Sequence, residues 1–366
     1  MKKVLFVTNY PSPYRVAFFD KLGENAEVTV LFSDRKENQS DRPMQWFAEG
    51  EGGFRGVQLE KKLFTVLESA CCADVVDWLK MPWDEIVLCG YSLPTVMLAM
   101  LYLRRKKIPF WLEVDGGVIR QDSFLQYRFK RMLVGSAAGW LSTGKATTDY
   151  LVHYGAKREK VREYPFSSLW EADILKEPVR RERKQELRRE LGIENGRVIL
   201  SVGQFIHRKG FDVLMKAAVR LNHDAQVYIV GGEPTEEYLG LCRDLGLSNI
   251  HFEGFKNKET LAKYYQAADL FVLPTREDIW GLVVNEAMAF GLPVITTDRC
   301  VAGLELVENG VSGYIVPVGD ADALAEKMNA ALAGNCEAMG AAALEKVRPY
   351  TIENMARVHQ EIFERG

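Results

Sequence analysis

Val198-Ile199-Leu200-Ser201-Val202-Gly203-Gln204-Phe205-Ile206-His207-Arg208-Lys209-Gly210-Phe211-Asp212-Val213-Leu214-Met215-Lys216-Ala217 carries two structural periods in succession. Val198–Val202 is a short, largely apolar β-branched run, the length of a buried strand, and a glycine turn follows it. From Gly210 onward the apolar positions Phe211, Leu214, Ala218 and Leu221 fall on one face of a helix. Strand, glycine turn and helix together make the repeating unit of a parallel α/β sheet. The same stretch puts Arg208 and Lys209 at a helix N-terminus, where exposed N–H groups attract anions and cations are disfavoured unless an anion balances them. It therefore suits a phosphate or diphosphate held by charge-assisted hydrogen bonds. A solvated basic loop is the other reading.

The unit repeats on either side. In the first half, strand-like runs occur at Lys3–Thr8, Glu27–Phe32, Ile86–Cys89, Phe110–Val114 and Gly139–Ser142; in the second, at Val198–Val202, Val227–Val230, Asn249–Phe252, Leu270–Leu273 and Val294–Thr297, with helix-length segments between many of them. Two α/β sheets are expected. The chain has 366 residues, a little over two domains at roughly 150 residues each. Pro165-Phe166-Ser167-Ser168 reads as linker, and Arg180–Leu191, with glutamates among its cations and Leu187 four before Leu191, reads as a solvated helix. The expected domains are 1–165 and 166–345, with a helical segment over 346–366 that braces the second sheet or returns to the first.

Composition narrows the function. With 47 Lys+Arg against 50 Asp+Glu, a formal net charge of −3, nothing overall drives the chain onto nucleic acid. A small-molecule partner is favoured. The six cysteines form neither a disulfide framework nor a Cys-x-x-Cys metal site, which fits a reducing cytoplasm. Met1–Tyr10 is too short in its apolar run for a signal peptide and reads as a first buried strand. Leu93–Leu103 falls far short of the ~20 residues a membrane span needs. It reads as a buried helix, or as a peripheral membrane contact through its basic end Arg104-Arg105-Lys106-Lys107.

A second informative stretch is Leu273-Pro274-Thr275-Arg276-Glu277-Asp278-Ile279-Trp280-Gly281-Leu282-Val283-Val284-Asn285-Glu286, which leaves a strand and enters a helix stopped by Gly291 and Pro293. Ligands of such sheets bind at the carboxyl ends of the strands. Asp278 and Glu286 thus sit on the binding side, and ionised carboxylates accept hydrogen bonds from vicinal hydroxyls of a sugar or ribose. The alternative is local: Glu286 favours a helix N-terminus and Asp278 caps a turn. Asp115-Gly116-Gly117 ends another strand, either as a site or as an ordinary tight turn. Asn9–Arg15, with Ser12 before Pro13 as a helix start, ends the first.

The order Gly203…Arg208-Lys209-Gly210, Gly254-Phe255, Ala268-Asp269-Leu270-Phe271-Val272-Leu273-Pro274, then an acid followed by Trp280-Gly281 and Glu286-Ala287-Met288-Ala289-x-Gly291-x-Pro293-Val294, and finally Asn309-Gly310-x2-Gly313-Tyr314-Ile315-Val316-Pro317, resembles the nucleotide-sugar half of glycosyltransferase family 4. The resemblance covers most of 197–330 and is only an outline before that. It implies a GT-B fold, with two Rossmann-like domains facing a cleft, the donor held by the second and the acceptor by the first. It implies a retaining transferase that needs no cofactor or metal, and no Asp-x-Asp stands at a loop on the binding side.

Carried over by position, Arg208 and Lys209 contact the diphosphate, Glu286 the ribose and Asp278 the donor sugar, with Gly254 and Phe255 bordering the base. Gly203, Gln204, Glu277, Gly281 and Leu282 complete the donor side. The family often has Arg where Gln204 stands and Glu where Asp278 stands, and Glu277 lies next to Asp278. In the first half the family commonly places a His where Asp115 stands; none of the five histidines follows that strand, so Asp115 takes the position, flanked on the acceptor side by Gly116, Gly117, Asn9 and Arg15. The implied donor is a UDP-sugar first and a GDP-sugar second, and the acceptor a glycan or lipid-linked saccharide of bacterial surface polysaccharide assembly at the inner face of the membrane. Trp46 and Trp83 are compatible with such a setting. A nucleotide-sugar epimerase and a non-catalytic sugar-nucleotide-binding protein are the rival readings; a dinucleotide dehydrogenase is disfavoured because no Gly-x-Gly-x-x-Gly follows a strand.

Overall fold

The structure, a computed structural model, describes residues 1–34, 52–66, 69–193, 196–221 and 224–365; Trp46 and His223 lie outside them. The chain divides into two compact units, Met1–Trp170 with Tyr350–Gly366, and Glu171–Pro349.

The first unit runs β1 (Lys3–Thr8), α1 (Pro13–Gly23), β2 (Glu27–Phe32), β3 (Arg55–Gln58), β4 (Lys62–Val66), β5 (Ser69–Cys72), α2 (Val75–Leu79), β6 (Glu85–Cys89), α3 (Pro94–Lys106), β7 (Trp111–Val114), α4 (Phe124–Val134), β8 (Gly139–Ser142), α5 (Lys145–His153) and β9 (Val161–Glu163). Seven strands form a parallel sheet in the order β3-β2-β1-β6-β7-β8-β9, and β4 and β5 make a separate antiparallel pair. Val4–Val7 are completely buried because helices cover both faces of the sheet, so the strand reads as a continuous apolar run. Pro13 opens α1 behind Ser12, where its missing N–H costs nothing.

The second unit begins with α6 (Arg181–Leu191) and continues β10 (Arg197–Val202), α7 (Phe211–Ala218), β11 (Ala225–Val230), α8 (Glu236–Asp244), β12 (Ile250–Glu253), α9 (Lys258–Ala267), β13 (Leu270–Leu273), α10 (Leu282–Ala289), β14 (Val294–Thr297), α11 (Val301–Leu306), β15 (Gly313–Val316), α12 (Ala321–Ala333) and α13 (Cys336–Val347). Its parallel strands lie in the order β12-β11-β10-β13-β14-β15. This is the doubly wound order, whose direction reverses between β10 and β13. The last helix, α14 (Ile352–Arg365), belongs to the first unit, where it packs on α1.

The order fixes the position of the site. All strands of the second sheet run the same way, so the loops after β10, β12 and β13 emerge at one edge, and the first and last flank the reversal, where a crevice opens. Gly210 is required there: its φ is +71°, and a Cβ would stand 2.2 Å from the Pro274 carbonyl oxygen. Gly281, with φ +103°, starts α10 where a Cβ would come within 2.8 Å of Cys300 Sγ.

Candidate active site

At the reversal of the second sheet, the loop after β10 ends in a single 3-10 turn, His207–Lys209, immediately before α7. The loop after β13 folds over it: Arg276 N donates to the Arg208 carbonyl at 2.8 Å and Thr275 Oγ1 to the same oxygen at 2.9 Å. The Arg276 guanidinium grips Asp212 with two 2.7 Å hydrogen bonds. Burial pushes the Asp212 carboxyl up, but the Arg276 fork more than offsets it and holds the acid below its ordinary range. These bonds fix Arg208 and Lys209 against the second loop. Lys209 Nζ donates to Asp278 Oδ2 at 2.6 Å, and Arg208 Nη1 lies 3.3 Å from Asp278 Oδ1 while donating to the Glu277 carbonyl at 2.9 Å.

The two cations and the acid, which three helices and three strands (α7 to β13) separate along the chain, are therefore one cluster. Asp278 is nearly buried, whereas the Arg208 side chain is 46% exposed. Asp278 is held from behind as well. Its N–H donates to the Arg299 carbonyl at 2.9 Å, Val301 N donates back to the Asp278 carbonyl at 3.3 Å, and Trp280 Nε1 donates to Asn285 Oδ1 at 2.8 Å. Beneath it, burial pushes the Cys300 thiol up to about 12, and the thiol donates to the Trp280 carbonyl at 3.3 Å. The thiol is packed and inert.

Glu286 stands in the middle of α10, outside the first turn, so it does not serve as an N-terminal acid. Instead Tyr265 Oη donates to its Oε2 at 2.9 Å, and the Tyr265 ring stacks on Phe290 at 5.3 Å. Burial, with Glu286 adding, raises the Tyr265 phenol well above its ordinary value, so it stays a donor. Leu282 lies in the first turn of α10, Gly203 and Gln204 follow β10, and Gly254 and the exposed Phe255 follow β12. All emerge at the same edge of the sheet.

In the first unit the structure brings Arg15 and Asp115 together. Arg15, buried on α1, donates to Glu113 Oε2 at 2.9 Å through Nη1 and to Asp115 Oδ1 through Nη2. Gly117 lies against the Tyr150 ring, where a Cβ would be 2.8 Å from it, and Gly116 is buried beside Asp115. The Asn9 carbonyl accepts from Asp34 N at 2.9 Å. Two members of this cluster escaped the sequence reading. Glu113 is fully buried on β7, and His359 Nε2, from the distant helix α14, stands 3.5 Å from Glu113 Oε1. The signal for Glu113 was a carboxylate inside the apolar strand Trp111-Leu112-Glu113-Val114. For His359 there was none, because only the packing of α14 on α1 creates the neighbourhood. Burial pushes the Asp115 carboxyl up against the pull of Arg15, with Glu113 adding to the rise. No group of three or more His, Cys, Asp or Glu side chains is arranged to hold a metal ion among the described residues.

Residues 183–346 match the family model described as glycosyl transferases group 1. This segment, less than half of the chain, is similar to the glycosyl transferases of group 1. Its relatives agree: an uncharacterized glycosyltransferase of Methanocaldococcus jannaschii is 34% identical over 218 residues, covering 57% of this chain and 55% of the relative. The lipopolysaccharide glucosyltransferase WaaG of Escherichia coli is 30% identical over 164 residues, 43% of each chain. The chain thus spans about half the length of the curated relatives it matches. Solved structures match throughout: sucrose-phosphate synthase of Thermosynechococcus elongatus at TM-score 0.78 and 19% identity, covering 100% of this chain and 99% of that one, and Anabaena HepE in complex with UDP and glucose at TM-score 0.77 and 17% identity, covering 100% of both. At such identities the likeness shows the fold, two parallel α/β sheets as in GT-B glycosyltransferases.

Proposed function

We propose that the chain is a retaining, metal-independent glycosyltransferase that moves a sugar from a nucleoside-diphosphate donor, a UDP-sugar before a GDP-sugar, to a glycan or lipid-linked acceptor in bacterial surface polysaccharide assembly, on the cytoplasmic side of the membrane. The observation that carries the reading is the Lys209–Asp278–Arg208 cluster at the reversal of the second sheet. Two cations converging on one carboxylate leave a net positive site at a helix N-terminus, which suits a diphosphate. The similarity of the segment containing these residues to the glycosyl transferases of group 1 supports it, as do HepE, whose structure holds UDP and glucose, and WaaG, named for lipopolysaccharide.

In this reading Lys209 and Arg208 turn from Asp278 to the diphosphate when the donor enters, and Asp278 turns to the sugar hydroxyls. Glu286, its carboxylate oriented by Tyr265, accepts from the ribose hydroxyls, and the Gly254-Phe255 turn borders the base. The acceptor hydroxyl attacks on the face from which the diphosphate leaves, and the leaving oxygen takes its proton. Lys209 and Arg208 stabilise the charge developing on that oxygen, so catalysis is positioning and electrostatics. Asp115, gripped by Arg15, orients the acceptor.

A thermal-shift screen against UDP, GDP, ADP, dTDP and CMP tests the donor half. Ligand at 100 times its Kd stabilises by about 2.7 kcal/mol, so UDP or GDP is expected to raise the melting temperature of the wild type and to leave Glu286→Ala almost unmoved. No response to any nucleotide by the wild type would overturn the assignment.

A further inference from the structure

Helix α6 turns a cationic face toward its own unit. Positions i, i+3, i+4, i+7 and i+8, which a surface helix ordinarily makes apolar and lays on the core, are Arg181, Lys184, Gln185, Arg188 and Arg189 here. All five line a cavity of about 810 Å³ in the second unit, a volume within the range of small-molecule sites. The cavity lies at the amino ends of the strands: Arg197 starts β10, and Asp224 and Asp269 immediately precede β11 and β13. It is thus at the sheet edge opposite the Lys209–Asp278–Arg208 cluster and shares no residue with it.

Part of the cationic face is structural. Arg188 Nε donates to the Ala267 carbonyl at 2.9 Å, Nη1 to the Gly196 carbonyl at 2.9 Å and Nη2 to Asp269 Oδ2 at 2.8 Å, so its guanidinium joins the end of α9 to the starts of two strands. Lys184 is less fully satisfied. Its Nζ donates to the Ala268 carbonyl at 2.6 Å and stands 3.5 Å from Asp269 Oδ1, on the carboxylate that Arg188 already holds. Burial, opposed by Asp269 and reinforced by Arg188, holds the Lys184 ammonium below its ordinary range, and an anion beside it would reverse that shift. Arg197 faces the same place. Burial and Asp269 push the Cys336 thiol up while Arg197 and Lys184 pull it down, so both cations lie near one sulfur. The thiol itself donates to the Ala331 carbonyl at 3.1 Å.

Charge indicates what fits. Five cations line the cavity against three carboxylates, Asp224, Asp269 and Glu337, in a chain whose formal net charge is −3. The excess of two matches a phosphate monoester, which carries close to two negative charges near neutrality and suits arginine forks. Cys336 and Glu337, in the first turn of α13, are part of the wall, so that helix adds the positive end of its dipole. The volume leaves room beside a phosphate for the body of a small molecule, and Gln185 and Asn335 offer side-chain amides to its hydroxyls.

We infer that this cavity is a second ligand site, for a small phosphate-bearing molecule, with Lys184 and Arg197 on the phosphate and Arg181 and Arg189 supporting them. The inference goes beyond the transfer reaction and does not rest on it.

Titration calorimetry of the full chain with ribose 5-phosphate, and separately with inorganic phosphate, at constant ionic strength tests it. Saturable binding of at least one is expected; tighter binding of ribose 5-phosphate identifies an ester as the ligand, and equal or tighter binding of inorganic phosphate identifies the free ion. Arg181→Glu with Arg197→Glu is expected to weaken binding at least about tenfold, as is Lys184→Gln, whose amide can still donate to the Ala268 carbonyl. Both arginines are exposed, so circular dichroism and the thermal response to UDP should be unchanged in the double variant. Lys209→Ala should bind as the wild type does. Absence of saturable binding overturns the inference, as does binding that neither variant weakens, or binding that Lys209→Ala abolishes, which would put the anion at the opposite edge. Phosphate binding in a chain that responds to no nucleotide would leave this site standing and remove the donor reading.

Discussion

Lys209→Ala is expected to lower turnover of the nucleotide-sugar donor by about 10²–10³-fold, the loss that follows removal of one preorganised group from a developing oxyanion. The side chain is mostly buried and already points at the site, bonded to Asp278 at 2.6 Å, so its charge is in place before the diphosphate begins to leave. Arg208, more exposed and 3.3 Å from the same acid, is expected to matter less. Stability should change little, since Asp278 keeps Arg208 and its backbone bonds to the Arg299 and Val301 peptides. The measurement is release of nucleoside diphosphate in a coupled assay, with water replacing the acceptor, beside a melting curve. Unchanged release by a folded variant would sink the catalytic assignment. Asp278→Asn separates the two functions of the cluster. Removing a carboxylate that competes for Lys209 should preserve or tighten binding of the bare diphosphate, while the sugar-bearing donor loses its advantage over it.

Which of these contacts the sequence reveals follows from where each side chain's neighbours come from. Val198–Val202 and Leu270–Leu273 are legible because strands buried on both faces must be apolar throughout, and the glycines and cations after β10 stand in fixed sequence relation to the helix they precede. Lys209 and Asp278 could be assigned to one edge because a parallel sheet delivers all its carboxyl ends together. The strands Arg55–Gln58 and Val161–Glu163 were not legible: they lie at the two edges of the first sheet, are short and largely polar, and carry no period. Lys62–Val66 has an exposed Leu63 and Phe64 and, among the described residues, pairs only with β5. Glu113 and His359 were hidden for a different reason. Their meeting depends on α14 returning to α1, a long-range packing event that no local pattern specifies.

That hidden cluster carries the largest expected cost in stability. Arg15→Met is expected to destabilise the first unit by about 3–5 kcal/mol, since deleting one partner of a buried ion pair leaves the other uncompensated. Here two acids would be left, Glu113 with no exposure and Asp115 beside it. A drop in melting temperature on the order of 10 °C would follow. Glu113→Gln in the Arg15→Met background should restore much of it, because the substitution removes the stranded charge, and the double-mutant cycle measures that coupling. The acid limb of the stability curve gives an independent reading. Burial pushes the Glu113 carboxyl up, but Arg15 overcomes burial and holds it well below its ordinary range. A carboxylate depressed by folding contributes stability that is complete above its unfolded pKa, about 4.3, and is lost as the pH falls below that toward the folded value. Asp115 is shifted the other way, by burial first, so its ionisation removes stability as the pH rises from its unfolded value to its higher folded one. The wild type should therefore lose stability steeply below about pH 4.3, and Glu113→Gln should flatten that slope while leaving the Asp115 slope above it. An unchanged acid limb in Glu113→Gln, or a cost of less than about 1 kcal/mol for Arg15→Met, would mean that the Arg15 fork does not hold this end of the first sheet together.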